Sequence, residues 1–217
     1  MKYKCLVFDH DDTVVNSTAT IHHPCFQTYL NLKRPGQSCS LNEYFLKNFD
    51  PGFLEMCRDE YGMDDAELRE ETEFWNNYVQ TIIPEVYPGI RELMWEHKEK
   101  GGLICVSSHS FSDNIRRDYA ANSLPEPDAV YGWELPHEKR KPRPFSMRNI
   151  IERFALQPAE ILMIDDLQFG YEMAASCGVD FAAAGWAYDI PEIERYMRKN
   201  CGRYFKTVRE LAGYLRE

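Results

Sequence analysis

Residues 5–13 read CLVFDHDDT: the apolar run 5–8 passes without a break into Asp9-His10-Asp11-Asp12-Thr13. A short, uninterrupted apolar run of this kind predicts a strand buried on both faces, and the charge that follows places polar groups at its C-terminal end. Four more such runs recur at 103–106 (LICV), 129–131 (AVY), 161–164 (ILMI) and 179–184 (VDFAAA). Helical patterns lie between them. Ile90, Leu93, Met94 and His97 repeat at i, i+3, i+4, i+7 behind Pro88-Gly89, and Met147, Ile150, Ile151 and Phe154 do so behind Pro144. From about residue 86 the alternation of strand and helix predicts an α/β fold, a doubly wound parallel sheet.

Residues 17–82 break that alternation. No strand run occurs there, while Leu68, Thr72, Trp75 and Val79 form one helical stripe, with Trp75 and Phe74 expected in a local core. The stretches 33–44 (KRPGQSCSLNEY) and 50–52 (DPG) read as connections between helices. The expected organisation is a core of 1–16 and 83–217 carrying an inserted α-helical cap at 17–82.

The bulk composition narrows the function. With 35 Asp and Glu against 25 Lys and Arg, the net charge is −10. That argues against nucleic acid or an anionic membrane surface as a partner. No apolar run reaches the ~20 residues of a membrane span. Seven scattered cysteines without a C-x-x-C pair predict reduced thiols, a cytoplasmic location and no zinc site. No motif points to a protein partner.

The chemistry-bearing residues gather at expected strand ends, where open α/β sheets place their ligands. Beside the first cluster stand Ser107-Ser108-His109-Ser110, Lys141-Pro142-Arg143-Pro144 and Asp165-Asp166. Carboxylates brought to ~4 Å repel by about 4 kcal/mol at an effective dielectric of ~20. A hard divalent cation removes that repulsion and lets a carboxylate approach a phosphate dianion, with lysine and serine supplying the remaining donors.

These segments resemble the motifs of the haloacid dehalogenase superfamily, in its α-helical-capped branch of phosphoglycolate phosphatase-like and β-phosphoglucomutase-like enzymes. FDHDDTVVNS resembles its first motif, LICVSS its second, KPRP its third and ILMIDD its fourth. EVYPGIRELMWEHKEKGG is similar to the return into the core after the cap, and AASCGVDFAAAGWAYD to the last strand. The resemblance implies a Rossmann-like core, a magnesium cofactor and a small phosphorylated metabolite as substrate. By the same resemblance Asp9 is the nucleophile that becomes an aspartyl phosphate. Asp11 is the general acid and base, and its backbone carbonyl reaches the metal. Ser107 binds the phosphoryl oxygens, with Ser108 as its competitor; Ser107 is preferred because it directly follows the apolar run. Lys141 balances charge. Asp9, Asp11 and Asp166 are metal ligands, with Asp165 ligating or acting through water. His10 is a candidate for facing substrate. Asp12 stands where the family commonly has glycine, and Gly170 where it often has a further aspartate. His22, His23 and His109 are given no role, and Arg143 is expected in solvent.

Three functions fit. The first is a magnesium-dependent phosphatase, with the cap excluding water. The second is a sugar phosphomutase. The mutases this chain resembles carry a histidine four residues after the Ser or Thr behind the first motif; here that position is Ile21. His22 is displaced by one, hence by ~100° on an α-helix. The third is a non-catalytic phospho-acceptor module.

Overall fold

The computed structural model describes residues 2–217. The elements in chain order begin with β1 (Cys5–Phe8) and β2 (Val15–Asn16). Four helices follow: α1 (His23–Lys33), α2 (Leu41–Phe49), α3 (Phe53–Asp59) and α4 (Asp65–Val79). Then come β3 (Glu85–Val86), α5 (Ile90–Glu99), β4 (Leu103–Ser107), α6 (Ser112–Ala121) and β5 (Ala129–Tyr131). The chain ends with α7 (Phe145–Arg153), β6 (Ile161–Asp165), α8 (Gln168–Ser176), β7 (Asp180–Ala184), α9 (Pro191–Asn200), β8 (Tyr204–Phe205) and α10 (Val208–Arg216). Two compact units result, one of the residues up to Asn16 with Glu85–Glu217, the other Ser17–Pro84.

The first unit is built on a six-stranded sheet in the order β5-β4-β1-β6-β7-β8, every pair parallel. β1 lies between β4 and β6, with Phe8 opposite Val106 on one side and Ile164 on the other. Its four residues are all buried, as their unbroken apolar run requires. β1 therefore delivers Asp9 to the centre of the sheet's C-terminal edge, where the chain order reverses. Ile90, Leu93, Met94 and His97 are the buried face of α5. Two features went beyond the pattern reading. β8 adds an edge strand, and β2 pairs antiparallel with β3, tying the two ends of the interruption together. β8 and β3 are each two residues long, too short for a periodicity to register.

The second unit is wholly helical. Ser40 and Glu43 form a capping box at α2, and Asp64 caps α4 by accepting from Ala66 N–H and Glu67 N–H, both at 2.9 Å. Leu41–Tyr44, read as connection, belongs to α2, because that cap starts the helix at Leu41. Its core gathers Phe26, Tyr29, Leu30, Met56, Cys57 and Leu68, with Phe74 packed against it. On α4 only Leu68 and Val79 of the expected stripe are buried, Thr72 and Trp75 being half-buried; Glu71, outside the stripe, is buried instead, and burial pushes its carboxyl up to about 7, against the opposing pull of His22. Residues Thr18–His22 form a π-helical turn, in which His22 N–H donates to Ser17 carbonyl at 3.0 Å and His23 N–H to Thr18 carbonyl. This corrects the premise that His22 sits on an ordinary α-helix. A turn closed five residues apart carries one residue more than an α turn.

All seven cysteines are free thiols, six of them buried. No helix of the described residues is long and apolar enough to cross a membrane.

Candidate active site

Asp9 is held first by its backbone. Its N–H donates to Ile164 carbonyl at 2.8 Å, extending the β1–β6 ladder one residue past the strand. The chain then turns back sharply. His10 carbonyl accepts from Val14 and Val15 N–H at 2.9 and 3.1 Å, and Asp12 N–H donates to Val15 carbonyl at 2.8 Å. The turn needs Asp12 in the left-handed region, at φ 57°. Aspartate adopts that conformation more readily than most side-chain-bearing residues, which is why it can stand where the family commonly has glycine. Trp186 and Thr13 close the loop, the indole N–H donating to Thr13 carbonyl at 3.1 Å.

Lys141 joins two of the predicted acids. Its Nζ donates to Asp9 Oδ1 at 2.8 Å and to Asp165 Oδ2 at 2.6 Å, and all three residues are buried. Burial alone would strip the lysine of its proton, but Asp165 and Asp9 outweigh it and hold the ammonium charged. Asp165 also accepts Leu167 N–H at 2.8 Å. Asp166 accepts from Thr13 Oγ1 at 3.3 Å and from Tyr188 OH at 3.2 Å. Asp9, Asp165 and Asp166 bring one ligand atom each to within 4.8 Å of one another. Three carboxylates against one ammonium leave a surplus of buried negative charge. Burial, with Asp165, Asp12 and Asp9 adding to it, raises the Asp166 carboxyl well above its usual range. A hard divalent cation fits this donor set, being all carboxylate oxygen and short of positive charge.

The second cluster resolves differently from its sequence order. Ser107 Oγ is bonded to Ser146 Oγ at 2.8 Å and lies 4.0 Å from Met173 Sδ, engaged by α7 and α8 in the interior. Ser108 Oγ accepts Ser110 N–H at 3.2 Å, and Ser110 Oγ donates to Asp11 Oδ2. Ser107, preferred from sequence, is thus turned to Ser146 and Met173, because directly following an apolar run does not decide which way a hydroxyl faces. The substrate-facing reading of His10 is corrected as well. Its ring is 1% exposed, with Nε2 at 3.1 Å from Asp118 Oδ2 and the ring packed against Tyr119. Arg143 is exposed, as expected. Pattern reading missed Ser110, Ser146 and Tyr188. Ser110 and Tyr188 stood inside quoted stretches without being singled out, whereas nothing in sequence signalled Ser146.

Gly170, at the position of the missing aspartate, has a local reason. A Cβ there would fall inside the van der Waals shell of the Asp165 carboxylate. Gly170→Ala is expected to displace Asp165 from Lys141 and cut kcat by on the order of a hundredfold, with about 1–3 kcal/mol of overpacking. Steady-state rates and a melting curve check it; an unchanged kcat would show that the Asp165–Lys141 contact can be lost freely.

Over residues 6–184 the sequence matches the family profile described as "Haloacid dehalogenase-like hydrolase". The chain belongs to the haloacid dehalogenase-like hydrolase family. It is therefore an enzyme, and the phospho-acceptor module is left without support. No curated protein sequence matches it. Among solved structures it is similar to a haloacid dehalogenase-like hydrolase from Bacteroides fragilis (TM-score 0.81, 21% identity, covering 97% of this chain and 100% of that one). It is also similar to a protein named as a phosphoglycolate phosphatase from Lactobacillus plantarum (0.79, 21%, 97% and 98%). A third is CbbY from Rhodobacter sphaeroides, solved as a point mutant in complex with xylulose-1,5-bisphosphate (0.69, 16%, 94% of each). At these identities the likeness is one of fold.

Proposed function

We propose that this hydrolase is a magnesium-dependent phosphatase that cleaves a small phosphorylated metabolite through an aspartyl phosphate on Asp9. The observation that carries the reading is the buried Asp9 carboxylate, paired with Lys141 beside Asp165 and Asp166. A carboxylate at the end of a central strand, with its charge balanced and its position fixed, is a competent nucleophile.

Asp9 attacks phosphorus as the ester P–O bond breaks, and Asp11, in its acid form, gives its proton to the departing oxygen. Asp11 then takes a proton from water, whose oxygen attacks the same phosphorus. The bond from Asp9 to phosphorus breaks, inorganic phosphate leaves and the carboxylate is regenerated. Ser110 orients Asp11 through its hydroxyl, and Ser108 is assigned to the phosphoryl oxygens in place of Ser107. Asp9 and Asp166 would hold magnesium by carboxylate, Asp11 by its backbone carbonyl, and Asp165 directly or through water. Bound there, the ion offsets repulsion between carboxylates and phosphate.

A second reading, a sugar phosphomutase, gains from the π turn. His22 follows Ser17 by five residues, and its N–H closes on Ser17 carbonyl. The i→i+5 closure sets His22 nearer the face a residue four positions on would occupy in an α-helix, while Ile21 N–H shares the same carbonyl at 2.7 Å. Its Nδ1 accepts the Trp75 indole N–H at 2.8 Å, which puts the proton of the neutral ring on Nε2. The separating experiment follows inorganic phosphate and sugar phosphate isomers together by phosphorus NMR, using a hexose 1-phosphate with and without a hexose bisphosphate. Stoichiometric phosphate release, indifferent to the bisphosphate, is expected. Isomer interconversion that outruns release and is lost in His22→Gln would replace the phosphatase with the mutase.

A further inference from the structure

The loop that carries Lys141 into the site also carries Arg140. This side chain is half-buried, with its guanidinium 3.8 Å over the ring centroid of Trp133 and its Nε–H donating to Leu135 carbonyl at 2.7 Å. The stack and that hydrogen bond fix the plane of the fork. Among the described residues no carboxylate lies within ion-pair distance of it, in a chain with 35 acids against 25 bases. Glu134 and Glu138 are the acids whose charges it feels. Glu134 is engaged elsewhere, accepting Ser112 N–H at 3.1 Å as well as the Ser112 hydroxyl.

The residues around Arg140 are linked by contacts to Asp11 and Lys141. Trp133 N–H donates to Ser110 carbonyl at 2.8 Å, and Ser110 is the residue bonded to Asp11. His109 meets Trp133 edge to face at 5.7 Å and Phe169 at 5.8 Å, and its Nε2–H donates to Lys141 carbonyl at 3.1 Å. Burial, with the charge of Lys141 behind it, pushes the His109 imidazole down to about 3, so that ring is a neutral wall. Arg140 therefore supplies the wall's own positive charge one residue before Lys141, without an acidic partner.

We propose that the Arg140 guanidinium, held on Trp133, is a specificity determinant that binds a second anionic group of the substrate, a carboxylate or a second phosphate. The inference rests on the phosphatase reading of the Asp9 site and names its substrate class. A planar fork with fixed orientation suits either oxyanion bidentately.

The test compares matched esters that differ only in the second charge. 2-Phosphoglycolate is set against 2-hydroxyethyl phosphate, and glucose 1,6-bisphosphate against glucose 6-phosphate, each with magnesium. In wild type one charged member or both should show the higher kcat/KM. The pair that responds tells carboxylate from phosphate. In Arg140→Met that preference ratio should fall by about tenfold to a hundredfold, carried by KM more than by kcat. Trp133→Leu, which removes the platform and keeps the charge, should lower the ratio in the same direction by less. If Arg140 merely anchors the loop, both members of a pair lose kcat together and the ratio stays, which overturns the proposal. A wild type that releases phosphate but prefers neither charged ester overturns it as well. If wild type releases phosphate from none of the four, the phosphatase reading itself has failed and this inference goes with it.

Discussion

Replacing Asp9 with asparagine is expected to lower phosphate release from p-nitrophenyl phosphate by on the order of 10⁴-fold or more, with the fold retained. The substitution keeps the shape of the side chain and the N–H bond to Ile164 carbonyl, and removes the charge that attacks phosphorus. Lys141 keeps Asp165 as its partner at 2.6 Å, so the ammonium is not stranded. Taking one of three buried carboxylates away relieves repulsion, so the melting temperature should hold or rise. Initial rates and a thermal melt on the same preparation make the comparison. A folded Asp9→Asn protein working within tenfold of wild type would move the nucleophile elsewhere.

Chelation should be as severe. Exhaustive EDTA is expected to abolish turnover, and added magnesium to restore it, since Asp9, Asp165 and Asp166 are gathered with one ammonium among them. Calcium should restore little, because its looser, longer coordination misplaces groups that the reaction needs within hydrogen-bond distance. Binding also has a readout independent of activity: magnesium at 100 times its Kd should stabilise the fold by about 2.7 kcal/mol. Full turnover after chelation would count against the whole assignment of the acidic cluster.

The sheet was legible because its strands are buried on both faces, so apolar runs mark them directly. The runs at Cys5, Leu103, Ala129 and Ile161 start the strands where expected, and that at Val179 starts one residue early. The polar residues at their ends were legible for the same reason: a strand that must be apolar announces where it stops. Asp9, Lys141, Asp165 and Asp166 do converge. Direction was not legible. Ser107 and Ser108 are adjacent and chemically identical, and only packing against Ser146 and Met173 assigns one to the interior. His10 lies between Asp9 and Asp11 yet turns to Asp118, more than a hundred residues away in sequence. Gly170 had no visible purpose until the Asp165 carboxylate occupied its space. The face of His22 could not be placed by counting residues on an α-helix, since a π turn differs from one only in which carbonyl each N–H reaches. Sequence by itself determined the order of strands and helices and the residue types that could meet at one edge of the sheet, since both follow from hydrophobic pattern along the chain. Tertiary structure alone decided which way each hydroxyl, imidazole and guanidinium points, because that depends on neighbours brought together from distant parts of the chain.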